Sequence, residues 1–513
     1  MTTTAAARTA PEAVEPDPRR WWTLVILCTS LMIVIVANTS LNVALPTLSK
    51  SLNASTSSLQ WMVDGYSLVF AGMLLTAGTL GDRYGRKGAL QFGLFLFGAA
   101  TAAASFATSA GQVIACRAVM GLAAAFVMPS TLSILTNVFP ARERAKAIAV
   151  WAGFSMGGAA FGPIASGFLL NHFWWGSVFL VNLPIVALAL VGGKFLVPTS
   201  RDPVERPLDL VGAAISIAAI GSLVYTIIEA PSRGWASPAT FAWFGASVVL
   251  LGVFARWELR REHPMLNLHF FRIPELSVAC AGMTLVYFAM FGTFFLMTQY
   301  FQLVHNYSPF SAGLRQGPVA IMMMLVAPNT ARLAARYGRN RVVGSGMAVI
   351  AVGLLTMSRA DVTTSYWYLL LCMLTISGGM ALTVSPMTAS IMSSVPPGQA
   401  GIGSALNDTT RELGGSLGVA VLGSLVASRY TAKLAPFIGN LTGSTRASVT
   451  KSLSGALAVA GVNKDAGLAS AARHSFMSGM HVAYFVGAII VIVAAAVASR
   501  LLPAAKGGQM PVH

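Results

Sequence analysis

Two charged residues stand inside long apolar stretches of the chain. Asp64 and Arg117 each lie about six residues from the start of a stretch long enough to span a bilayer. A charged group inside such a stretch is costly, so each residue is a functional candidate by default. At 1.5 Å per residue both lie roughly 9 Å below the same surface, and we expect them to form an ion pair. Such a pair is either a proton switch, released when Asp64 is protonated, or a static contact that fixes helix packing.

A second charged set begins a later apolar stretch, at Asp408, Arg411 and Glu412. On a helix the two acids share a face at i and i+4, and Arg411 reaches Asp408 at i and i+3. The sequence favours a structural role for this set because the arginine neutralises one acid. Asp408 and Glu412 are still candidates for proton coupling, together with Asp64 and Arg117.

No set of residues predicts an enzyme. No nucleophile, base and third group recur at a workable spacing, and the sequence has neither a phosphate-binding loop nor a metal-ligand cluster. The four cysteines stand singly in apolar stretches, as small core residues do. We therefore expect no cofactor, no metal and no nucleotide, which leaves an ion gradient as the driving force and the proton as the coupling ion.

The composition is that of a membrane protein. Hydrophobic residues make up 55% of the 513 residues and charged residues 10%, whereas a soluble domain carries about 25% charged residues. The mean hydropathy is +0.69. The formal net charge of +17 is dispersed over short loops and forms no basic face. It therefore indicates membrane topology, and no nucleic-acid partner is expected.

The apolar stretches predict an all-α polytopic membrane protein with fourteen transmembrane helices, which we number as spans. Their predicted limits are about 21–45, 58–80, 88–109, 111–137, 147–170, 175–196, 209–229, 239–257, 276–303, 312–332, 342–359, 366–394, 401–427 and 475–502. An even number of spans places both chain ends on one side of the membrane.

The side follows from the basic residues, which concentrate in alternate loops such as 83–87, 142–146 and 336–341. Short basic loops stay in the cytoplasm, so both termini are predicted to be cytoplasmic. Residues 1–20 are too polar to fold alone and are expected to be disordered, and 503–513 form a cytoplasmic tail. The exception is 428–473, which is basic yet falls outside in this count; its length approaches that of loops that translocate regardless of charge.

The turn after span 2 identifies a family. GTLGDRYGRK, from Gly78 to Lys87, resembles the loop between the second and third helices of major facilitator superfamily transporters. In that family the turn acts as a latch between the two halves when the cytoplasmic side is closed, and an aspartate near an opposing helix N-terminus is stabilised by the helix dipole. The latch residues implied by this resemblance are Gly78, Asp82, Arg83, Gly85, Arg86 and Lys87.

An internal repeat supports the same reading. RLAARYGRNR, ending at Arg341, echoes the first turn with Ala335 in place of Asp82, and PMTASIM from Pro386 echoes PSTLSIL from Pro129. Two six-helix halves, 21–197 and 263–502, are implied, with two linker spans in 198–262. The arrangement resembles the fourteen-span drug:proton antiporter branch of the superfamily, which implies proton-driven export of small amphipathic or cationic drugs and antibiotics across the cell membrane. A monomer is expected.

Span 5 carries the most discriminating motif. SMGGAAFGPIASG, from Ser155 to Gly167, resembles the antiporter motif of that branch and implies export by exchange rather than import. Small residues allow close helix approach, and the proline weakens the local backbone ladder. Packing alone would also explain it. The motif residues are Gly153, Gly157, Gly158, Gly162, Pro163 and Gly167.

Span 1 departs from the branch. NVALPTL, from Asn42, resembles the end of its span 1 signature, but Ala37 stands where an aspartate is usual. Strong selectivity for dications therefore does not carry over from relatives. RAVMGLAAAFVMP, from Arg117, resembles the span 4 motif of the branch, built on an intramembrane arginine.

Helical position suggests residues that line a substrate cavity, although the substrate itself is not identified. They are Asn38, Asn42, Tyr66, Phe126, Met128, Tyr287, Gln299 and Arg315. Glu229 is expected to be an interfacial acid, His481 a core histidine with its polar groups satisfied, and Trp174 and Trp175 part of a membrane-interface belt. The alternatives are a proton-coupled or facilitative transporter of another metabolite, such as a lipid, siderophore or nutrient, and a non-transporting receptor or membrane enzyme.

Overall fold

The fourteen predicted spans are present in the computed structural model. It describes residues 18–200, 209–262, 264, 266–395, 400–439 and 441–503. Within these ranges, 14 helices are long and apolar enough to cross a membrane, and the described residues include no β-strand. The protein is therefore an all-α, multi-pass membrane protein.

The helices run mostly longer than the predicted spans because polar turns extend them beyond the apolar core. Spans 1 to 5 are Arg20–Ser51, Thr56–Tyr84, Arg86–Ser105, Ala110–Val138 and Ala141–His172. Span 6 comprises Ser177–Leu180 and Asn182–Leu196, and the linker spans 7 and 8 are Leu210–Arg233 and Pro238–Arg260. Span 9 is Pro274–Gln299, continued by a π-helical turn at Tyr300–Val304. Spans 10 to 14 are Pro309–Tyr337, Arg339–Met357, Tyr366–Ser393, Ala400–Leu434 and Ala466–Leu501.

The helix ends are set by local chemistry. The side chain of Ser55 accepts a hydrogen bond from the backbone N–H three residues later, and Ser109 and Ser308 do the same for spans 4 and 10. Such caps satisfy backbone donors that have no partner within the helix. The turns between spans 2 and 3 and between spans 10 and 11 each rest on one glycine, Gly85 with φ +119° and Gly338 with φ +90°. Only glycine adopts this backbone conformation without strain. The internal repeat of the two halves is therefore also present in the backbone conformation of the two turns.

Two bundles of six helices face each other. In the first half span 2 packs on span 4 and span 1 on span 5, and in the second half span 9 packs on span 13 and span 11 on spans 12 and 14. The halves meet where span 2 packs on span 13 and where span 5 packs on span 10. Linker span 7 covers the first junction from outside, where Val224 and Ile228 pack with Leu68 and Ala420.

The two ends of the bundle differ. We call the end that carries Gly85 and Gly338 the turn end, and the other the far end. At the far end, hydrogen bonds cross between the halves: Gln60 donates to the carbonyls of Val419 and Ala420 at 3.0 Å each, and Gln302 donates to Val43 at 2.8 Å. These contacts form the far-end seam.

At the turn end, by contrast, two ion pairs between described residues each join helices of one half. Arg20 pairs with Glu143 at 2.8 Å in the first half, and Arg339 pairs with Glu275 in the second. Asp408 and Arg411 lie deep within the length of span 13, yet their side chains retain 22% and 38% exposure. The space between the halves is therefore a cleft that opens towards the turn end.

The long segment predicted as a loop at 428–473 is largely helical. Span 13 continues to Leu434, and two short helices, Gly443–Lys451 and Leu453–Asn463, follow it. The Tyr430 hydroxyl donates to the Val449 carbonyl at 2.9 Å, and the Thr56 hydroxyl donates to the Lys451 carbonyl at 3.2 Å. The segment therefore covers the far end and touches both halves.

Candidate functional site

Arg117 is fully buried, but the ion pair predicted with Asp64 is wrong for this conformation. Its Nε donates to the carbonyl of Met62 at 3.0 Å, its Nη2 donates to the Asn38 side chain at 3.0 Å, and its guanidinium lies 4.3 Å from the centre of the Tyr66 ring. No ion pair within 4.0 Å joins it to Asp64. Arg117 therefore contacts the face of span 2 that carries Met62 and Tyr66. Asp64 lies two residues from each of them, about 200° around the same helix.

Asp64 points instead across the far-end seam. Its side chain is fully buried, and neither carboxylate oxygen has a hydrogen-bond partner among the described residues. Ser416 of span 13 lies beside it, and the Ser416 hydroxyl has no partner either. The antiparallel register agrees, because Gln60, one turn earlier on span 2, bonds to Ala420, one turn later on span 13.

The charged face of span 13 lies at the bottom of the cleft. Arg411 and Asp408 pair at 3.4 Å, as their i, i+3 spacing predicted, and the Arg411 guanidinium lies 4.8 Å from the centre of the Tyr287 ring. Glu412 is half-buried beside Ser67 of span 2, and its Oε2 has no hydrogen-bond partner. Arg411 thus pairs with Asp408, and the Glu412 carboxyl group remains available to bind a proton.

Four side chains consequently form a ladder across the seam, with one acid and one serine on each helix. Span 2 supplies Asp64 and Ser67, and span 13 supplies Ser416 and Glu412. A carboxylic acid and a hydroxyl can each donate and accept a hydrogen bond, so the ladder can hold a proton or pass it. Neither Ser67 nor Ser416 was predicted from sequence; the antiparallel register of the two spans is the signal that identifies them.

The side chains of Asp82, Arg86 and Lys87 in the charged turn bind partners within the first half. Arg86 pairs with Asp82 at 2.7 Å, and the Ser133 hydroxyl donates to the same carboxylate oxygen at 3.3 Å. Lys87 donates to the Lys194 carbonyl at the end of span 6. Gly78 lies against Pro129 of span 4, where an added Cβ would make an ordinary contact at 3.5 Å.

The second half contains a corresponding turn between spans 10 and 11, but there the acid that pairs with the arginine comes from another helix. Arg339 occupies the place of Arg86 and donates to the Ser390 hydroxyl at 2.6 Å, the residue that corresponds to Ser133 in the repeat. Ala335 replaces the aspartate, and Glu275 at the start of span 9 pairs with Arg339 instead. Sequence comparison of the two turns revealed the missing aspartate but not its substitute.

The span 5 motif packs against two helices, span 1 of the same half and span 10 of the other half. Gly158 and Gly162 pack against span 1, and the hydroxyls of Ser40 and Ser166 each donate to the other helix, to the Gly162 and Ser40 carbonyls. Gly167 packs against the backbone of Phe310 in the other half, and the Pro163 carbonyl lies against Gly313 of span 10. Gly153 and Gly157 have no neighbour that an added Cβ would meet. The motif therefore builds part of the far-end seam.

Three of the predicted cavity residues do not line the cleft. Tyr66 is buried beneath Arg117, and Phe126 turns towards span 3, where its ring meets Phe92 edge-on at 5.1 Å. Gln299 is buried, and its amide donates to the Phe295 carbonyl of its own helix. Met128 lies about 200° around the helix from Phe126, on the opposite face.

Two of the other predicted polar residues, Arg315 and His481, have structural partners. Asn42 is buried. Arg315 lies at the far end of span 10, with its guanidinium 4.0 Å from the centre of the Tyr307 ring and 5.2 Å from that of Tyr366. The His481 ring contacts the Ala360 carbonyl at 2.6 Å, which satisfies one of its nitrogens.

His305 lies between spans 9 and 10, stacked on Tyr307 and 3.0 Å from the Tyr300 hydroxyl. Burial lowers the pKa of His305, and the nearby Arg315 lowers it further, while Asp361 opposes the shift. The neutral ring is therefore favoured at this point of the far end.

Comparison with known proteins agrees with this architecture. Residues 27–419 match the family model of the Major Facilitator Superfamily. The Multidrug efflux pump LfrA of Mycolicibacterium smegmatis is 34% identical, over 95% of this chain and 97% of its own length. The Methyl viologen resistance protein SmvA of Salmonella typhimurium is 37% identical over 81% of this chain and 84% of its own. The Tetracenomycin C resistance and export protein of Streptomyces glaucescens is 33% identical, over 94% and 91%.

Solved structures share the fold at lower identity. An inward-facing, unoccupied bacterial homologue of the human lysosomal transporter Spinster has a TM-score of 0.66 and 16% identity, covering 97% of this chain and all of that one. The D-xylose-proton symporter has a TM-score of 0.62 and 13% identity, covering 96% and 99%. Family match, relatives and fold agree that the chain belongs to the Major Facilitator Superfamily, as a fourteen-span transporter and not an enzyme.

Proposed function

We propose that the protein is a proton-coupled antiporter that exports small amphipathic or cationic drugs across the cell membrane by alternating access. Three relatives that carry multidrug efflux or resistance names support the substrate class. The basic residues of the turn end support a cytoplasmic position for that end and for both termini. In this orientation the structure is inward-facing, with the cleft open to the cytoplasm and the far-end seam closed.

The observation that carries the proposal is the unpartnered carboxyl group of Asp64. An ionised carboxylate that is buried without a cation and without a formed hydrogen bond is strongly unfavourable, so we propose that the group closes into the seam as the neutral acid. Opening of the seam would bring Asp64 into contact with outside water. The protein must therefore take up a proton from outside before it returns to the inward-facing state.

Glu412 provides the second part of the exchange. It lies in the cleft, one turn along span 13 from Ser416, and Arg411 is occupied by Asp408. A proton on this acid can leave to the cytoplasm, and a cationic ligand that enters the cleft is attracted to the carboxylate it leaves. Proton and substrate thus compete for the acids of one ladder, which couples inward proton flow to outward export. One chain supplies both walls of the cleft, so the working unit is proposed to be a monomer.

Transport of a fluorescent cationic dye in proteoliposomes tests the proposal. A pH gradient should drive dye movement against its concentration gradient, and nigericin, which collapses the pH gradient, should abolish it. Glu412→Gln should lose gradient-driven transport, whereas Glu229→Gln, an acid on linker span 7 that contacts Ser232 outside the cleft, should retain it. Dye transport that persists with nigericin, or that Glu412→Gln leaves intact, would exclude proton exchange at this ladder.

A further inference from the structure

A pocket at the far end lies outside both the cleft and the ladder. Its volume is about 450 Å³, and its walls are the end of span 1, the turn after span 9, the short helix Leu453–Asn463 and the start of span 14. Small-molecule sites have volumes of roughly 300 to 1,000 Å³. We propose that this pocket binds a phosphate ester or a diphosphate, and that the bound anion holds the two halves together at the far end.

Three cationic side chains line the pocket, and each comes from a different part of the chain. Lys50 lies in the last turn of span 1, Lys464 follows the helix Leu453–Asn463, and Arg473 lies near the start of span 14. Among the residues that the structure describes, no acid forms an ion pair within 4.0 Å with any of the three. An anion placed among them would offset their mutual repulsion.

The one carboxylate of the described lining binds the backbone of its own helix. Asp465 accepts a hydrogen bond from the Leu468 N–H at 2.9 Å and caps the start of span 14. The positive end of the helix dipole offsets part of its charge. The lining therefore keeps an excess of positive charge.

Arg473 is held in place and still has free donors. Its Nε donates to the Leu303 carbonyl and its Nη2 donates to the Asn306 side-chain oxygen, both at 3.1 Å. A guanidinium has five N–H donors, so others remain for a ligand, and the Asn306 amide nitrogen adds neutral donors. A guanidinium fixed in this way is suited to bind two oxygens of one phosphate group.

The backbone at Lys464 favours a role for its side chain. This residue ends the helix Leu453–Asn463 with φ +51°, in the left-handed region. Glycine or asparagine is usual at such a position, because other side chains are unfavourable there. Asn306, with φ +56°, lines the same pocket. Backbone of this kind is concentrated at ligand and active sites.

The lining favours phosphate over other anions. A phosphate group directs its oxygens in several directions and can reach cations on different elements, whereas a carboxylate presents two oxygens in one plane. Leu303 and Leu457 add an apolar side to the pocket. A phosphate that carries a glyceryl group or a second phosphate therefore suits the site. In the proposed orientation the ligand comes from outside, either as the headgroup of an anionic phospholipid or as a phosphorylated solute.

The pocket joins both halves of the transporter. Lys50 belongs to the first half, whereas Asn306 and Arg473 belong to the second. Opening of the far end would separate these residues, so an anion bound to all of them favours the closed far end. In this proposal the anion regulates the transporter and is not its cargo.

Binding to purified, delipidated protein in detergent, at fixed pH and ionic strength, tests the site. The probes are inorganic pyrophosphate and dihexanoyl phosphatidylglycerol, and dihexanoyl phosphatidylcholine, whose headgroup has no net charge, is the control. A probe that binds should raise the thermal midpoint in a saturable way, and it identifies the source of the ligand. If neither anionic probe raises the midpoint above that found with the control, the pocket is not a phosphate site.

Charge variants locate the binding. Lys464→Asn removes a cation and suits the left-handed backbone, so it should raise the Kd roughly 2- to 5-fold without lowering the midpoint of the ligand-free protein. Lys50→Gln should act similarly, and the double variant should raise the Kd roughly 4- to 25-fold. Lys433→Gln, an exposed lysine in the last turn of span 13 that does not line the pocket, should bind as the parent protein does. An equal Kd in all of these variants would overturn the site.

A cysteine in the far-end seam tests the hold on the two halves. Ser424 is fully buried beside Gln60, so a maleimide reaches Ser424→Cys only when the far end opens. A saturating amount of the binding probe should slow labelling, and the same amount should slow it less when Lys50→Gln and Lys464→Asn are added. Unchanged labelling would overturn the regulatory part of the proposal. None of these measurements uses a pH gradient, so their failure is distinct from a failure of proton-coupled export.

Discussion

Replacement of Asp64 by asparagine removes the charge whose burial controls closure of the far-end seam. An aspartate charge at the centre of a membrane helix costs about 3 kcal/mol, which corresponds to roughly a 100-fold shift between two conformations. Asparagine has a similar size and carries no charge at any pH. We therefore expect Asp64→Asn to remain inward-facing about 100-fold more than the parent protein with ionised Asp64, and to lose proton-driven transport.

The assay measures access to the seam from outside. Ser424 is buried there, where its hydroxyl donates to the Ile227 carbonyl at 2.8 Å, and Ser424→Cys introduces a small reactive probe. A membrane-impermeant maleimide should label this cysteine faster as the outside pH rises, because ionised Asp64 favours the open seam. In Asp64→Asn labelling should be slow, and it should show only the pH dependence of the thiol–maleimide reaction itself, measured on an exposed cysteine. The native cysteines to be replaced first are Cys28, Cys116, Cys280 and Cys372.

Two controls make the outcome specific. Asp64→Glu keeps a titratable acid and should keep the pH dependence, and Glu229→Gln removes an acid outside the seam and should change nothing. If Asp64→Asn is labelled with the same pH profile as the parent, Asp64 does not control the seam. If vesicles that contain this variant still accumulate substrate after a pH step, the coupling acid lies elsewhere, and Glu412 is the next to test.

Three further outcomes follow from contacts described above. Asp82→Asn removes the acid of the latch turn and should speed labelling of a cysteine in the cytoplasmic cleft without lowering expression; unchanged labelling would leave the turn as a topological anchor only. Gly313→Ala places a Cβ against the Pro163 carbonyl oxygen, which cannot move aside, so the far-end seam should close poorly and the Ser424→Cys probe should label faster, whereas Gly317→Ala, with open space around it, should behave as the parent. Because the pKa of His305 is lowered in the folded protein, the unfolded state binds more protons below about pH 6.5, and stability should fall as the pH is lowered from there. The thermal midpoint of His305→Gln should lack that loss, and an equal loss in the variant would assign it to another group.

The sequence was sufficient to predict the fold, because each membrane helix requires a long apolar stretch that can be recognised in the sequence by itself. Spans of apolar residues and short basic loops predicted all fourteen helices. The glycine turns were also readable, since Gly85 and Gly338 stand in matched motifs and both adopt positive φ.

Helix rotation was not readable in the same way. Membrane helices are apolar on most faces, so hydrophobic periodicity does not show which side faces the cleft. Phe126 was therefore assigned to the cavity although it faces span 3, and Arg117 was paired with Asp64 although it reaches Asn38. The far-end seam likewise depends on the register of spans 2 and 13, which only their packing defines.

At the turn end, the acid that pairs with the turn arginine comes from a different position in each half, so the two halves are linked differently. In the first half the base and its acid, Arg86 and Asp82, flank one turn and travel as a single body. In the second half Arg339 draws its acid from Glu275 and its hydroxyl from Ser390, so one guanidinium ties the starts of spans 9 and 11 to the end of span 12. Span 9 also supplies Tyr287, which contacts Arg411 in the cleft. A displacement of span 9 would therefore move the turn-end rim of the second half with it, whereas the matching ion pair of the first half stays within its own turn.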